Sequence, residues 1–148
     1  MSVKLKPVGE IITDLNLEPG GKAHNAFASE CMDRMNDKYT PFDNGGLVAS
    51  SYVDSDCNIH YNTPYARYIY YGKLMVMENG KGAYYSPDYG FWSDKGKKKK
   101  LTDRDLVYHK SGTGPYWDKL MWSAEKTNIE NFMNEWIKQR GRKWIQRI

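Results

Sequence analysis

Trp117, Leu120, Met121, Ala124, Asn128, Phe132, Trp136 and Ile137 recur at helical spacing through Gln139. That period belongs to an α-helix and not to a strand. A long helix with one apolar stripe needs a second layer to cover it. Pro115 suits the first turn of such a helix, and Gly141 is a stop signal for it. "RKWIQRI" then leaves a short basic tail within residues 141–148. Residues 22–37 show the same period. Ala23, Phe27, Cys31 and Met35 recur every four residues, with Ala28 and Met32 beside them, while Glu30, Arg34, Asp33 and Asp37 decorate the other side. Pro41 disfavours helical geometry at Thr40, and Asn44, Gly45 and Gly46 supply turn residues.

The segments around these helices read differently. "VKLKPV" alternates as a short strand does, and "EIITDL" fits a brief helix. "GLVASSYVD" and "SDCNIHYN" read as two strands joined at Asp54, Ser55 and Asp56. "YARYIYYGKLMVM" starts as a helical turn and runs into a strand. "ENGKGAYY" carries the Asn79-Gly80 hairpin signal. Residues 86–114 are the least regular and read as a long basic surface loop with one short strand at "LVYH". Loops of that length are usually functional or mobile. The expected fold is therefore α+β: an antiparallel sheet with an N-terminal helix and a long C-terminal helix packed on it. With 148 residues and no repeat or long linker, residues 1–148 read as one domain.

Composition narrows the function. No apolar run approaches the roughly 20 residues that cross a bilayer, so no membrane partner is expected. "MSVKLKPVGE" lacks a signal peptide's apolar stretch, which points to synthesis in a cytoplasm. Two cysteines, Cys31 and Cys57, are too few for a disulfide framework, and both are expected reduced and partly buried. Aromatics make up 14%, which fits either partner-binding surfaces or a tyrosine-rich sheet face. Charge is uneven. Residues 1–92 carry 8 basic and 11 acidic side chains, residues 93–148 carry 14 and 7. Such asymmetry marks surfaces that meet nucleic acid or acidic partners.

Tests for chemistry return little. There is no Walker A sequence and no GxGxxG. Cys57 and His60 would point to opposite faces of a strand, wrong for one metal ion. Asp54, Asp56 and Asn58 resemble the start of a calcium loop, but Ile59 and Tyr65 stand where Gly and Glu are needed. His24, His60 and His109 lie in separate segments. Asp103 and Asp105 sit beside lysines as charge partners. Nothing assembles a nucleophile, base and oxyanion set, so no enzyme activity, cofactor or metal is expected. The run Lys97, Lys98, Lys99 and Lys100 is either a solvated loop tip or a phosphate contact, and Tyr89, Phe91 and Trp92 before it are of the type that stacks on bases or anchors a loop.

Three segments in order carry a resemblance: "YTPFDNGGLVASS" (39–51), "TPYARYIYYG" (63–72) and "GTGPYWDKLMWSAEKTNIENFMNEWIKQ" (112–139). Together they resemble the minor capsid proteins of tailed phages of Gram-positive bacteria and, more distantly, tail-completion or neck proteins. Pro41, Asp43, Gly45, Leu47 and Ser50 fit the first motif, with Asn44 replacing the usual Thr. Tyr65, Ala66, Arg67, Tyr70 and Gly72 fit the second, and Gly114, Pro115, Trp117 and Ala124 the third, where Met121 replaces a smaller residue. The resemblance implies a virion structural protein at the head–tail connection, assembling as a ring between head connector and tail, hexameric in preference to dodecameric. Its partners would be other phage neck and tail proteins. A ring needs two different patches on each subunit, and aromatics and Arg usually anchor such contacts. Arg67, Tyr68 and Tyr71 are the interface candidates, with Trp117 and Trp136 expected in the core. Pro41, Asp43, Gly45 and Leu47 form the motif turn. Lys97, Lys98, Lys99 and Lys100 are candidates for non-specific contact with packaged DNA. The competing reading is a sequence-independent DNA-binding protein using the basic C-terminal part.

Overall fold

The structure, a computed structural model, describes residues 7–42, 45–82, 84–88, 90–92 and 96–145. The expected first strand falls largely outside them. Helix α1 (Val8–Asp14) is followed by α2 (Lys22–Arg34), which continues into a π-helical turn, Met35–Tyr39. A single helical turn, α3 (Gly46–Ala49), precedes the hairpin β1 (Ser51–Val53) and β2 (Ile59–Tyr61). Then come α4 (Ala66–Tyr71), β3 (Lys73–Met77), β4 (Tyr84–Ser86), β5 (Gly90–Trp92), β6 (Lys99–Asp105) and α5 (Trp117–Ile145).

The class is α+β, as expected. The strands, however, form three separate two-stranded antiparallel ribbons, β1–β2, β3–β6 and β4–β5. Asn79-Gly80 does make a turn, closed by Met77 N–H to Lys81 O at 2.8 Å and Gly80 N–H to Met77 O at 2.9 Å. Yet β3 pairs with β6, with Met77 opposite Lys99 and Val76 opposite Lys100. The β4–β5 hairpin lies between them in the chain. The long loop expected over residues 86–114 is therefore partly strand. Its strand is Lys99–Asp105 rather than "LVYH", because Val76 and Met77, both buried, need a partner for their backbone.

"GLVASSYVD" also departs from expectation. Gly45 adopts φ +82°, and four helical residues follow before the strand begins at Ser51. Ser50 and Ser51 hydroxyls donate back to Leu47 O and Val48 O, each at 2.7 Å. Such local bonds compete with a strand ladder.

The core gathers Cys31, Met35, Leu47, Ala66, Trp117, Met121 and Ile129, flanked by Phe27, Tyr39, Ile59, Tyr61 and Tyr70. Helix α2 buries Ala23, Ala28 and Cys31, close to the expected face. Both cysteines are free and buried, and burial pushes the Cys31 thiol up to about 11. On α5 the buried row is Trp117, Met121, Glu125 and Ile129. Ala124, Asn128 and Phe132, assigned to the apolar stripe from their spacing, are exposed. Trp136 is half-buried under Arg140, whose guanidinium carbon lies 4.3 Å from its ring centre. The 29-residue α5 spans about 43 Å against about 20 Å for the 13-residue α2. It also runs through Gly141, whose cost of about 1 kcal/mol is too small to end a propagated helix.

The turn between β1 and β2 is organised by one carboxylate. Asp54 accepts the N–H groups of Asp56 (2.9 Å) and Asn58 (2.8 Å) and lies 2.6 Å from His60 Nε2. His60 stacks on Tyr52 at 4.9 Å. Cys57 takes φ +64° in this turn, ahead of β2 rather than on it.

Two expectations follow. Ile129→Ala should lower unfolding free energy by about 2–5 kcal/mol, while Ala124→Ser should change it by less than about 0.5 kcal/mol, as read by urea titration. The His60 and Asn58 contacts hold Asp54 down to about 2. Its folded-state value is depressed, so its stabilisation is complete above the unfolded value of about 4 and is lost as pH falls through about 2. The stability gap between wild type and Asp54→Asn should therefore narrow as pH falls from ~4 toward ~2, by thermal melts across that range.

Candidate functional site

Helix α4 places the residues of the second motif. Ala66 N–H bonds Thr63 O at 3.1 Å to open it, and Gly72 at φ +71° closes it and turns the chain directly into β3. Arg67 and Tyr71, four apart, share a face. Both are exposed. Ala66 on another face is buried in the core. Tyr68 is half-buried, and its hydroxyl donates to Lys99 O at 3.4 Å. Of the three interface candidates, Arg67 and Tyr71 are therefore brought together, and Tyr68 instead braces the start of β6.

The carbonyls at the end of α4 are covered by the segment ahead of α5. Tyr108 donates its hydroxyl to Ile69 O. Tyr116 N–H donates to Tyr70 O at 2.9 Å, and Leu106 N–H to Gly72 O at 2.8 Å. A Cβ on Gly72 would stand 3.0 Å from Pro115 Cβ and 3.3 Å from Tyr108 Oη. The absence of a side chain there lets the second and third motifs touch. Tyr70, Tyr71, Tyr116 and Trp117 form an edge-to-face cluster with centroids 5.1–6.0 Å apart. Burial, and a hydrogen bond to Asp118 at 2.9 Å, push Tyr70 up to about 12.

The first motif reaches the same place from the other side. Leu47 packs in the Trp117 cluster, and Pro41 and Gly45 set the bend before it. Asp43 lies outside the described residues. Thr40, fully buried, sits 3.1 Å from Tyr61 Oη, and Tyr61 donates to Asn36 Oδ1 at 2.8 Å. Asn36 in turn donates to Ser51 Oγ at 2.7 Å.

Beside α4 opens a cleft of about 610 Å³. Phe27, Cys31, Ala66 and Trp117 give it an apolar lining, and Arg67, Tyr71, His24 and Asp118 also line it. No group of three or more metal-ligating side chains occurs among the described residues.

A feature missed from the sequence holds the scaffold together. Glu125, only 8% exposed, accepts Arg34 Nη1 at 2.7 Å, Tyr39 Oη at 3.1 Å and Asn128 Nδ2 at 2.9 Å. Arg34 also bonds Glu30 at 2.7 Å. These donors, Asn128 first and Tyr39 and Arg34 with it, hold the Glu125 carboxyl below the usual range. The signal was the strict four-residue row Trp117, Met121, Glu125, Ile129 on α5.

The lysine run is split by structure. Lys97 and Lys98 are exposed ahead of β6, while Lys99 and Lys100 belong to that strand and alternate between half-buried and exposed. Lys73 and Asp105 close the far end of the ribbon at 2.5 Å. No helix among the described residues is long and apolar enough to cross a membrane.

The chain matches no curated protein and no solved structure. Residues 1–105 match the family model described as "Minor capsid protein". The match takes in the first two motifs and stops short of the third. With well over half its length matched, this chain belongs to the minor capsid protein family, and its role is that of a bacteriophage virion structural component.

Proposed function

We propose that the protein is a head–tail connection component of the neck or tail-completion type. It assembles as a ring between head connector and tail in a phage of a Gram-positive host, a hexamer in preference to a dodecamer. The observation that carries this reading, beside the family, is the exposed Arg67–Tyr71 face mounted on a core that leaves α4 little freedom. Aromatic and Arg side chains on a rigid base are the usual anchors of protein interfaces. The protein works by shape, without catalysis, after synthesis in the host cytoplasm. Its other partners are neighbouring neck and tail proteins.

Deleting the gene should yield DNA-filled heads and separate tails by electron microscopy. Normal tailed, infectious particles would contradict the proposal.

One observation favours a DNA-facing part. Lys97, Lys98 and Lys100 are exposed on one short stretch, and such a cluster contacts phosphates without reading bases. Replacing Lys97, Lys98, Lys99 and Lys100 with Ser should impair DNA retention or ejection, and unchanged DNA handling by such particles would remove this role. A free-standing DNA-binding protein would instead bind duplex at low salt with an affinity falling steeply as salt rises.

A further inference from the structure

We infer that the turn after β3 and the start of β6 form one basic ridge that grips the phosphate backbone of duplex DNA, with Lys81 as a contact the lysine run alone does not supply. This rests on the DNA-facing part of the reading above and deepens it. Met77 is buried and lies opposite Lys99 in the ribbon. Its N–H bonds Lys81 O at 2.8 Å, and its carbonyl accepts Gly80 N–H at 2.9 Å. The N–H and C=O of one strand residue point to the same edge, so Lys81 sits on the edge of β3 away from β6. Lys81 and Lys99 therefore flank Met77, two strand spacings or about 10 Å apart. Asn79 Oδ1 accepts Lys81 N–H at 3.0 Å, which fixes the turn. Lys98 and Lys100 adjoin Lys99 in the chain.

Charge is polarised along this ribbon. Residues 76–81 and 96–100 contain a single carboxylate, Glu78. At the other end Lys73 is held by Asp105, and Asp103 offsets Arg104. Lys81, Lys98 and Lys100 are exposed and Lys99 is half-buried, and none of the four is ion-paired among the described residues. Like charges gathered in this way attract a polyanion. A Cβ on Gly80, Gly82 or Gly96 would meet nothing within 4 Å. The backbone here stands clear of the rest of the chain, and a polymer can lie against it. The chemistry of the side chains selects phosphates over bases. Lysine is a point charge, whereas Arg forks and Asn or Gln amides read base edges. No Arg stands among these lysines, and Asn79 uses its carbonyl oxygen on Lys81. Lysines on both sides of Met77 match a duplex, which presents a phosphate row on each side of a groove. Their separation of about 10 Å lies between the groove widths of about 6 and 12 Å.

The test titrates purified full-length protein against a short fluorescent duplex of arbitrary sequence, from low salt upward, reading anisotropy. Four phosphate contacts predict that log affinity falls with log salt at a slope of about −4. Lys81→Gln should weaken binding several-fold on every sequence and reduce that slope by about one. Lys81→Arg should keep both, and Lys73→Gln, at the neutral end of the ribbon, should leave the slope as in wild type. Circular dichroism of Lys81→Gln should match wild type, which separates a lost contact from lost folding. An unchanged slope for Lys81→Gln overturns the ridge and leaves the lysine run alone as the DNA contact. An equal loss from Lys73→Gln also overturns it, since net charge would then explain the binding. So does tighter binding of the single strand. So does displacement by polyglutamate as effective, charge for charge, as displacement by unlabelled duplex, which would give the ridge to an acidic protein. If wild type binds no duplex even at low salt, the DNA-facing reading itself falls, and that outcome is distinct from these.

Discussion

Trp117 is the residue on which the rest depends. Its indole, 3% exposed, opens α5 and receives Tyr61 and Tyr70 edge-on at 5.3 and 5.1 Å. Through those contacts one side chain joins the long helix, the β1–β2 hairpin and α4. Edge-to-face rings add directionality to apolar burial, so α4 is held in angle as well as in place. The Tyr116–Tyr70 backbone bond and the Pro115–Gly72 contact lock the same junction. Arg67 and Tyr71 are presented outward because their neighbours Ala66 and Tyr70 are held inward.

Glu125 does comparable work farther along α5. A carboxylate inside a helix–helix seam is costly unless both its oxygens find donors. Tyr39 supplies one to Oε1, and Arg34 and Asn128 supply two to Oε2. The π-helical turn is part of the answer, since it carries Tyr39 toward Glu125 and Thr40 into its fully buried position. The result fixes the register of α2 against α5. Past Ile129, α5 has no fully buried residue through 140. The buried part of α5 thus runs from the junction around Trp117 to Ile129, and Met133, Trp136 and Ile137 beyond it are half-buried.

Much of this was legible in the sequence because period and turn chemistry are local. The Ala23 to Met35 spacing, the helical turn from Ala66 running into β3, and the Asp54 turn all depend on residues close in the chain. What was hidden is non-local. Asn79-Gly80 announces a turn, but nothing nearby says that β3 will pair beyond it with Lys99–Asp105. Glu125 reads as solvent-facing until Arg34, 91 residues away, is placed beside it. That error shifted the assigned face of α5 by one residue and put Ala124 inside. Gly141 signals a stop that a long helix overrides. The interface candidates separated for a similar reason: Tyr68 meets Lys99 only once β6 is paired. The residues quoted as family motifs serve first as structure, since Leu47, Ala66 and Trp117 share one core.

In the ring we propose, Arg67 and Tyr71 meet the neighbouring copy, backed by the junction around Trp117. The most direct measurement is a reconstruction of the whole particle at side-chain resolution. The account predicts a closed ring of this chain at the head–tail junction, with Arg67 and Tyr71 buried between adjacent copies. Density placing the chain elsewhere in the virion, or leaving those two side chains in solvent, would contradict it.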